Sequence, residues 1–291
     1  MQLSLERLSK RFKNVIAVDR VSINLHEGVY GFLGANGAGK TTLMQMICGI
    51  ISPTEGEVKI NGKNNVKLGE EFRDMLGYLP QELGYFPGFT AYDFMLYISS
   101  IKGLNPGYAK KKTAELLELV NLSADTHRKI QAFSGGMKKR LGIAQALLND
   151  PSILILDEPT AGLDPKERAY FRGMISNLSK DKIVILSTHI VSDVEFIADQ
   201  ILIMKNGKFI RQGTVDELTG ELKGNVWKCT VSDDKIEFFN NNYCIVNSHH
   251  RGGNIDMRIV CDEKPDKNAV EVEPALEDLY LKCFNKLGER G

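Results

Sequence analysis

The chain has 291 residues, which is enough for one large domain with a small one, or for two modest domains. Hydrophobic residues make up 43% and charged residues 25%, as is ordinary for a globular protein with a sizeable core. Lys and Arg number 37, and Asp and Glu also number 37, so no net charge attracts nucleic acid or anionic lipid. We therefore expect no nucleic-acid partner.

No apolar run approaches the roughly 18 residues that a membrane span requires. The N-terminal residues lack the apolar middle of a signal peptide. The five cysteines form no C-x-x-C pair, which disfavours a disulfide or zinc framework and favours a reducing cytoplasm. The sequence thus predicts that any role at a membrane is carried out from the cytoplasmic side, through another chain.

The first half of the chain alternates strand and helix patterns. An alternating stretch at 3–8 predicts a strand, and the apolar run 29–34 ends in glycine directly before a helical pattern. Further helices are predicted at 91–101, 109–121 and 137–149. A strand, a glycine loop and a helix in immediate succession indicate an α/β fold.

The second half contains strands that are apolar at every residue, at 152–156 and 182–187, each followed by a helix. Such strands are typical of a parallel sheet covered on both faces. A hairpin is predicted at 201–213, with Asn206-Gly207 as its turn. Beyond it, short strand-like runs separated by polar stretches predict a small α+β domain over 220–291, so the main domain is predicted to span 1–219.

Residues 34–42 read GANGAGKTT and match G-x-x-x-x-G-K-[ST] without a gap. Glycines let backbone N–H groups surround an anion, and the following helix adds its dipole. Lys40 can reach the β- and γ-phosphates, and the Thr41 hydroxyl can hold Mg²⁺. The segment predicts a nucleoside triphosphate site. Because the guanine-reading N-K-x-D tetrapeptide is missing from the sequence, ATP is the favoured nucleotide.

Two carboxylates follow the apolar strand 152–156. Asp157 is placed to hold magnesium directly or through water, as triphosphate sites require of a carboxylate at a strand end. Glu158, one residue on, is placed to act as a general base toward an attacking water. The alternative for such a pair is a helix cap or a solvated turn, and the phosphate loop favours the functional interpretation.

A second candidate phosphate grip, FSGGMKKR, occupies residues 133–140. The Ser134 hydroxyl and the N–H groups of Gly135 and Gly136 can donate to a phosphate at the start of a helix. The segment has neither the lysine nor the magnesium-binding hydroxyl of a complete site. Donors without a complete site indicate a site that is finished across an interface.

In this order, the motifs resemble those of the ATP-binding subunit of ABC transporters over roughly residues 1–219. GANGAGKTT resembles the family's Walker A motif, and ILILDEP at 153–159 resembles Walker B. FSGGM resembles the signature LSGGQ, with Phe133 and Met137 replacing Leu and Gln. The resemblance implies an α/β P-loop fold of the ABC ATPase type, with a helical signature subdomain at about 82–150 and the C-terminal α+β appendage.

The resemblance also implies roles for residues outside these motifs. Gln81 matches a glutamine that senses magnesium and the transporter, and His189 matches the switch histidine that contacts the γ-phosphate. Asp164 lies in the segment that matches the D-loop, and with Pro165 at the first helical position and Glu167 at the third it also has the pattern of a capping box. Phe12 matches an aromatic that stacks on adenine, with a core position as the alternative.

Three sets of site residues are expected. The catalytic set is Glu158, His189 and Gln81. The nucleotide-binding set is Phe12, Gly34, Asn36, Gly37, Ala38, Gly39, Lys40, Thr41, Thr42, Ser134, Gly135, Gly136 and Asp164. The magnesium set is Thr41, Gln81 and Asp157.

By resemblance, two ATPase chains, identical or different, pair head to tail, so that each signature closes over the partner's ATP. The pair drives integral membrane permease subunits, which hold it at the cytoplasmic face of the cell membrane. Six aromatics in 84–97 are candidates for the contact with these subunits, in part as helix core. The sequence resembles the branch that exports drugs, peptides or lipids. The alternative is a soluble ABC-type ATPase that acts on DNA or ribosomes.

Overall fold

The computed structural model describes residues 1–285, and strands and helices alternate through most of its first 210 residues. The strands of this part are β1 (Leu3–Phe12), β2 (Val15–Leu25), β3 (Gly28–Leu33), β4 (Glu55–Ile60), β5 (Lys63–Asn64), β6 (Leu76–Leu79), β7 (Ile153–Asp157), β8 (Ile183–Thr188), β9 (Gln200–Lys205) and β10 (Lys208–Gly213). Its helices are α1 (Lys40–Ile47), α2 (Asn65–Leu68), α3 (Glu70–Met75), α4 (Ala91–Ile101), α5 (Pro106–Leu119), α6 (Gly135–Ala146), α7 (Pro165–Leu178) and α8 (Val191–Glu195).

The apolar runs form the middle of a six-stranded sheet with the order β10-β9-β3-β8-β7-β6. Strands β6, β7, β8, β3 and β9 pair in parallel. Every residue of β7 and β8 is buried, as expected for strands covered on both faces. Because the strands are parallel, the segments that follow β3, β7 and β8 meet at one edge of the sheet. That edge carries the candidate site.

The hairpin β9–β10 turns at Asn206-Gly207, where both residues have positive φ, of 51° and 78°. This geometry is that of the tight turn predicted from the Asn-Gly pair. A second sheet, with the order β2-β1-β4-β5, is antiparallel. Leu3, Leu5 and Leu8 of β1 share one buried cluster with Phe32 of the parallel sheet and with Met44 of α1. The two sheets and α1 therefore share one core.

Helices α4, α5 and α6 lie between β6 and β7 in the chain, where helices were predicted. Each begins behind a side-chain cap: Thr90 forms a capping box with Asp93, Asn105 accepts from Gly107 N–H, and Ser134 accepts from Met137 N–H. α4 spans the predicted range, whereas α5 and α6 begin and end a few residues earlier than the pattern indicated.

The chain divides into two compact units, Met1–Ile210 and Arg211–Gly291. The elements of the second unit are α9 (Val215–Gly220), β11 (Val226–Ser232), α10 (Ile236–Asn242), β12 (Cys244–Arg251), β13 (Asn254–Val260), β14 (Val270–Glu271) and α11 (Leu276–Phe284). Its sheet has the order β12-β13-β11-β14. The division lies earlier than the predicted boundary at 219, because α9 packs on α11 within the second unit.

The polar stretches at 241–242 and 249–250 were predicted to separate strand-like runs, but in the structure both lie within regular elements. Asn241 and Asn242 end the helix α10, and His249 and His250 lie inside the exposed part of β12. Among residues 1–285, no helix combines the length and the apolar character that crossing a membrane requires.

Candidate active site

At one position of the loop between β3 and α1, the backbone has a conformation that only glycine can adopt. Gly39 has φ of 107°, and an added Cβ there would overlap the Ala17 carbonyl oxygen. The helix α1 then begins without a side-chain cap and without an acidic residue in its first turn. Its first N–H groups and its positive dipole end therefore remain available to an anion, as the motif predicted.

The Lys40 side chain is 5% exposed and bends back onto its own loop. Its Nζ donates to the carbonyl oxygens of Gly34 at 2.7 Å and Ala35 at 3.2 Å, and it lies 3.9 Å from Glu158 Oε1. Burial lowers the pKa of the Lys40 ammonium, and the Glu158 and Asp157 carboxylates oppose that effect. An arriving phosphate would replace the two carbonyl acceptors with a charged one.

A cavity of about 460 Å³ opens beside this loop. Its walls are formed by Asn36–Thr42, by Val15–Ala17 at the start of β2, by Gln81 and by Glu158. The hairpin turn Asn206-Gly207 completes the wall, and Gly207 N–H donates to the Ala38 carbonyl at 2.9 Å. The sequence predicted this turn but not its position at the site, which depends on the pairing of β9 with β3.

Phe12 lies at the end of β1 with 47% of its surface exposed, so the core alternative is wrong. The Lys10 ammonium lies 5.2 Å from the ring centroid. Val15 and Ile16, on the adjoining strand, are also exposed at 65% and 46%, and both line the cavity. Phe12 is absent from the cavity wall, and its stacking on adenine stays a prediction.

Asp157 ends β7 and is completely buried. Its Oδ1 accepts a hydrogen bond from the Ser187 hydroxyl, whereas its Oδ2 is buried without a partner among the described residues. An unpaired buried carboxylate oxygen is costly unless a cation or an ordered water completes it. The residues at this point therefore fit a divalent cation with oxygen ligands.

Glu158 has a left-handed backbone, with φ of 48°, and its N–H donates to Ser187 Oγ at 3.0 Å. Its carboxylate is 7% exposed and lies 3.2 Å from His189 Nδ1. The structure thus brings Lys40, Glu158 and His189 together at one place. Ser187 was missed, because its role follows from the register of Asp157 opposite Ser187 in adjacent strands.

Ser134 and Gly135 are exposed at the start of α6 and do not line the cavity. Gly135 has open space around it, with no atom within 4 Å of an added Cβ. At Gly136, by contrast, an added Cβ would overlap the Glu167 carboxylate of α7. Ser134 and Gly135 therefore stand outside the nucleotide cavity of their own chain, and their binding of a phosphate stays a prediction.

Asp164 is the N-cap of α7 and accepts from Glu167 N–H at 2.8 Å. The predicted capping box is only half formed, because the Glu167 carboxylate lies against Gly136 and makes no bond back to the Asp164 N–H. The D-loop role of Asp164 stays a prediction.

Known proteins are similar to this chain in sequence and in fold. The family described as "ABC transporter" matches residues 18–161. An uncharacterized ABC transporter ATP-binding protein, YxlF of Bacillus subtilis (strain 168), is 40% identical over 236 residues, which cover 81% of this chain and 78% of the relative. The bacitracin transport ATP-binding protein BcrA of Bacillus licheniformis is 39% identical over 214 residues, covering 72% and 69%.

Solved structures agree with this assignment. A dimeric post-hydrolysis state of the ATP-binding cassette MJ0796, bound to ADP and Pi, superposes with a TM-score of 0.67 and 27% identity, covering 73% of this chain and 98% of that one. The fold, the phosphate loop and the paired carboxylates thus indicate the same family as the similarity to these relatives does. The chain belongs to the ABC transporter family, as an ATP-binding subunit with ATPase activity.

Proposed function

We propose that this chain is the motor subunit of an exporter of drugs, peptides or lipids. In this proposal two ATPase chains pair head to tail at the cytoplasmic face of the membrane and drive separate membrane subunits. The observation that carries the pairing is the position of Ser134 and Gly135, which are exposed donors outside the nucleotide cavity of their own chain. The dimeric cassette MJ0796 is a related protein that forms a pair.

The magnesium ligands in this proposal are Thr41, Gln81 and Asp157. The unpaired, buried Asp157 Oδ2 supports the site, and Thr41 and Gln81 line the nucleotide cavity. Bound magnesium neutralises charge that develops on the phosphate oxygens. Ser187 holds the other Asp157 oxygen, so Oδ2 remains available to the cation or its water.

For hydrolysis, the Glu158 carboxylate accepts the proton of the attacking water, as a nearly buried carboxylate beside the phosphates can. His189, at 3.2 Å from that carboxylate, orients it and reaches the γ-phosphate. Lys40 exchanges its carbonyl acceptors for the β- and γ-phosphates. Ser134 and Gly135 of the partner supply donors from the opposite side.

A groove of about 590 Å³ in the first unit supports docking of a membrane subunit. Ile50, Arg73 and Asp74 line it on one side, and Ile101 and Lys102 at the end of α4 line the other. Ile50 and Ile101 are large apolar side chains that are 56% and 65% exposed. Exposed apolar residues beside charged ones are typical of a protein interface.

The aromatic segment 84–97 divides between the core and the surface. Phe94 is buried, whereas Phe86 and Tyr97 are 46% and 41% exposed and contact each other at 5.2 Å between ring centroids. The burial of part of this aromatic segment was expected from the sequence. The exposed pair extends the apolar surface of α4 and supports the same docking role.

The direction of transport rests on relatives. The bacitracin transport protein named above and the linearmycin resistance ATP-binding protein LnrL, which is 36% identical over 233 residues, carry names that refer to antibiotics. A Nod factor export ATP-binding protein is 35% identical over 218 residues. These names support an exporter, and they leave the cargo of this chain to experiment.

The pairing is tested by mixing two variants, each in a Glu158→Gln background that slows turnover so that bound ATP persists. Gly135→Asp places an anion where the partner's γ-phosphate would lie, and the open space at Gly135 accepts the larger side chain. Lys40→Ala removes the cation from a chain's own site. Each variant alone should occlude no ATP, whereas a mixed pair contains one composite site with both lesions and one with none.

We therefore expect mixing to restore occluded nucleotide, measured by rapid filtration with labelled ATP. The Gly135→Ala chain is the matched control, because a methyl group at the same open position carries no charge. Occlusion that does not recover on mixing, or that is lost only at the Walker A site of the Gly135→Asp chain itself, would place the grip in cis and contradict the proposal.

Membrane docking is tested by Ile101→Glu, with Val66→Glu on α2 as a control. Val66 is 70% exposed and does not line the groove. The Ile101 variant should bind ATP normally and leave the membrane fraction of cells, whereas the Val66 variant should stay with it. Equal membrane retention of both variants would remove the groove from the docking role.

A further inference from the structure

One face of helix α6 contacts the segment that leads from β6 to Gln81. The residues on this face are three apart, which places them on one side of a helix; they are Lys139, Gly142 and Gln145. Gln145 Nε2 donates to the Tyr78 carbonyl at 3.0 Å, at one end of the row. Lys139 Nζ donates to the Gln81 carbonyl at 2.8 Å, at the other end.

At the middle of the row, α6 and the Gln81 segment are in close contact. An added Cβ at Gly142 would overlap the Cδ1 atoms of Leu83 and Leu79. The Tyr85 hydroxyl also donates to the Lys138 carbonyl, on the preceding turn of α6. Because contacts run along the whole row, a movement of α6 and a movement of the Gln81 segment are linked.

Lys139 has a second acceptor in a third part of the chain. Its Nζ also donates to the Glu158 carbonyl at 3.2 Å, an oxygen that accepts Ala161 N–H as well at 3.3 Å. One ammonium therefore joins the carbonyl of Gln81 to that of Glu158. Nothing in the spacing of these residues along the chain predicts this arrangement.

The hydrogen bond from Lys139 reaches Glu158 at a residue whose backbone conformation is unfavourable. A left-handed φ of 48° is unfavourable for a residue with a side chain and persists only where surrounding contacts hold it. Ser187 holds the Glu158 N–H, and Lys139 with Ala161 N–H holds the carbonyl. With both adjoining peptide groups held, the direction in which the Glu158 side chain leaves the backbone is set.

We propose that Lys139 is a positioning residue for ATP hydrolysis: it fixes the carbonyl of Glu158 and makes the carboxylate's direction depend on the position of α6. The N-terminal end of α6 carries Ser134 and Gly135. Binding of a phosphate at that end of α6 therefore affects, through Lys139, the direction of the Glu158 carboxylate of the same chain. This inference rests on the proposed roles of Glu158 and of the signature residues.

The first test compares Lys139→Met with Lys111→Met, an exposed lysine on α5 that forms no hydrogen bond or ion pair with its side chain among residues 1–285. The affinity for ATP should stay within about twofold in both variants. The kcat of Lys139→Met should fall about 10- to 100-fold, since a small misplacement of a catalytic group is this costly. Lys139→Arg should recover most of the loss, because a guanidinium can also donate to both carbonyls.

The second test asks whether the effect passes through Glu158. In single-turnover hydrolysis, Lys139→Met should cost less than about threefold when Glu158→Gln is already present, because groups that act as a unit are not additive. ATP occlusion by paired Glu158→Gln chains should survive Lys139→Met, since the signature donors are intact.

Unchanged kcat in Lys139→Met would overturn the inference, as would an equal loss of rate with and without Glu158→Gln. Loss of ATP occlusion in Lys139→Met would also overturn it, because Lys139 would then act through the signature grip alone. Unchanged turnover in Glu158→Gln by itself is a separate outcome: it would overturn the proposed catalytic role of Glu158, and this inference with it.

Discussion

At the residue scale, the orientation of both carboxylate residues of the site depends on one hydroxyl group. Ser187 donates to Asp157 Oδ1 and accepts from Glu158 N–H, so a single side chain orients both carboxylate residues. A hydroxyl is suited to this because it donates and accepts at once. Asp157 Oδ2 is left without a partner among the described residues, and the Glu158 carboxylate lies next to His189 and Lys40.

Replacement of Glu158 by Gln keeps the shape of the side chain and removes its basicity. We expect ATP hydrolysis to slow by about a hundredfold or more, while ATP binding remains, because a general base contributes a factor of this size. Steady-state phosphate release and equilibrium binding of a fluorescent nucleotide measure the two quantities. Glu118→Gln, on the exposed face of α5, serves as the control. Unchanged turnover in the Glu158 variant would exclude the base role.

Replacement of Ser187 by Ala removes both hydrogen bonds and leaves buried polar groups without partners. The free energy of unfolding should fall by about 1–3 kcal/mol, the usual cost of such groups. The magnesium concentration needed for half-maximal hydrolysis should rise, because Asp157 loses its orientation. Urea unfolding followed by circular dichroism and a magnesium titration test both effects. Ser192→Ala is the exposed control; equal stability of the two variants would refute the prediction.

At the element scale, the second unit joins its C-terminal helix to its sheet through one charged pair. Asp278 is completely buried on α11 and accepts from Arg258 Nε at 2.7 Å and from Arg258 Nη2 at 2.6 Å. Its Oδ2 also accepts from Ala275 N–H at the start of α11. The hydrogen bonds to Asp278 raise the pKa of the Arg258 guanidinium.

Asp278→Ala should therefore destabilise the second unit by about 3 kcal/mol, because removal of one partner leaves the other charge poorly compensated. Trp227, the single tryptophan of the chain, lies on β11 and reports on this unit by fluorescence during urea unfolding. Asp262→Ala is the matched control, since Asp262 forms an exposed pair with Lys282 at 3.4 Å and such pairs contribute little. A midpoint equal to that of the control would contradict the role of Asp278.

At the scale of the whole molecule, the nucleotide cavity is built entirely from the first unit, Met1–Ile210. The edge strand β10 extends slightly beyond that division, to Gly213. The helix α9 belongs to the second unit, and its Leu218 is 1% exposed there. A truncation that keeps β10 complete and removes α9 thus ends at Gly213 rather than near residue 220.

A chain ending at Gly213 should fold and bind ATP with an affinity within about threefold of that of the full chain, because no residue that lines the cavity is removed. Circular dichroism and nucleotide titration test this outcome. A truncated chain ending at Gly220 is the comparison, and it should be less soluble because Leu218 loses its cover. A folded chain ending at Gly213 that fails to bind ATP would show that the second unit contributes to the site.

The sequence by itself determined the parts of this protein whose conformation is local. A glycine-rich loop, a lysine and a threonine between a strand and a helix define a phosphate site, because backbone N–H groups and a helix end supply most of the binding. The fully apolar runs predicted β7 and β8, and the Asn-Gly pair predicted the β9–β10 turn, since each pattern reflects an environment or a backbone angle at its own residues.

Only the tertiary structure decided which distant residues meet. Ser187 reaches Asp157 through strand register, the Asn206-Gly207 turn reaches the cavity through the pairing of β9 with β3, and Lys139 reaches Glu158 through the packing of α6. The boundary of the second unit likewise follows from the contact of α9 with α11. These contacts join residues far apart in the chain, and the free energy that selects them comes from the whole packed core, so no local pattern encodes them.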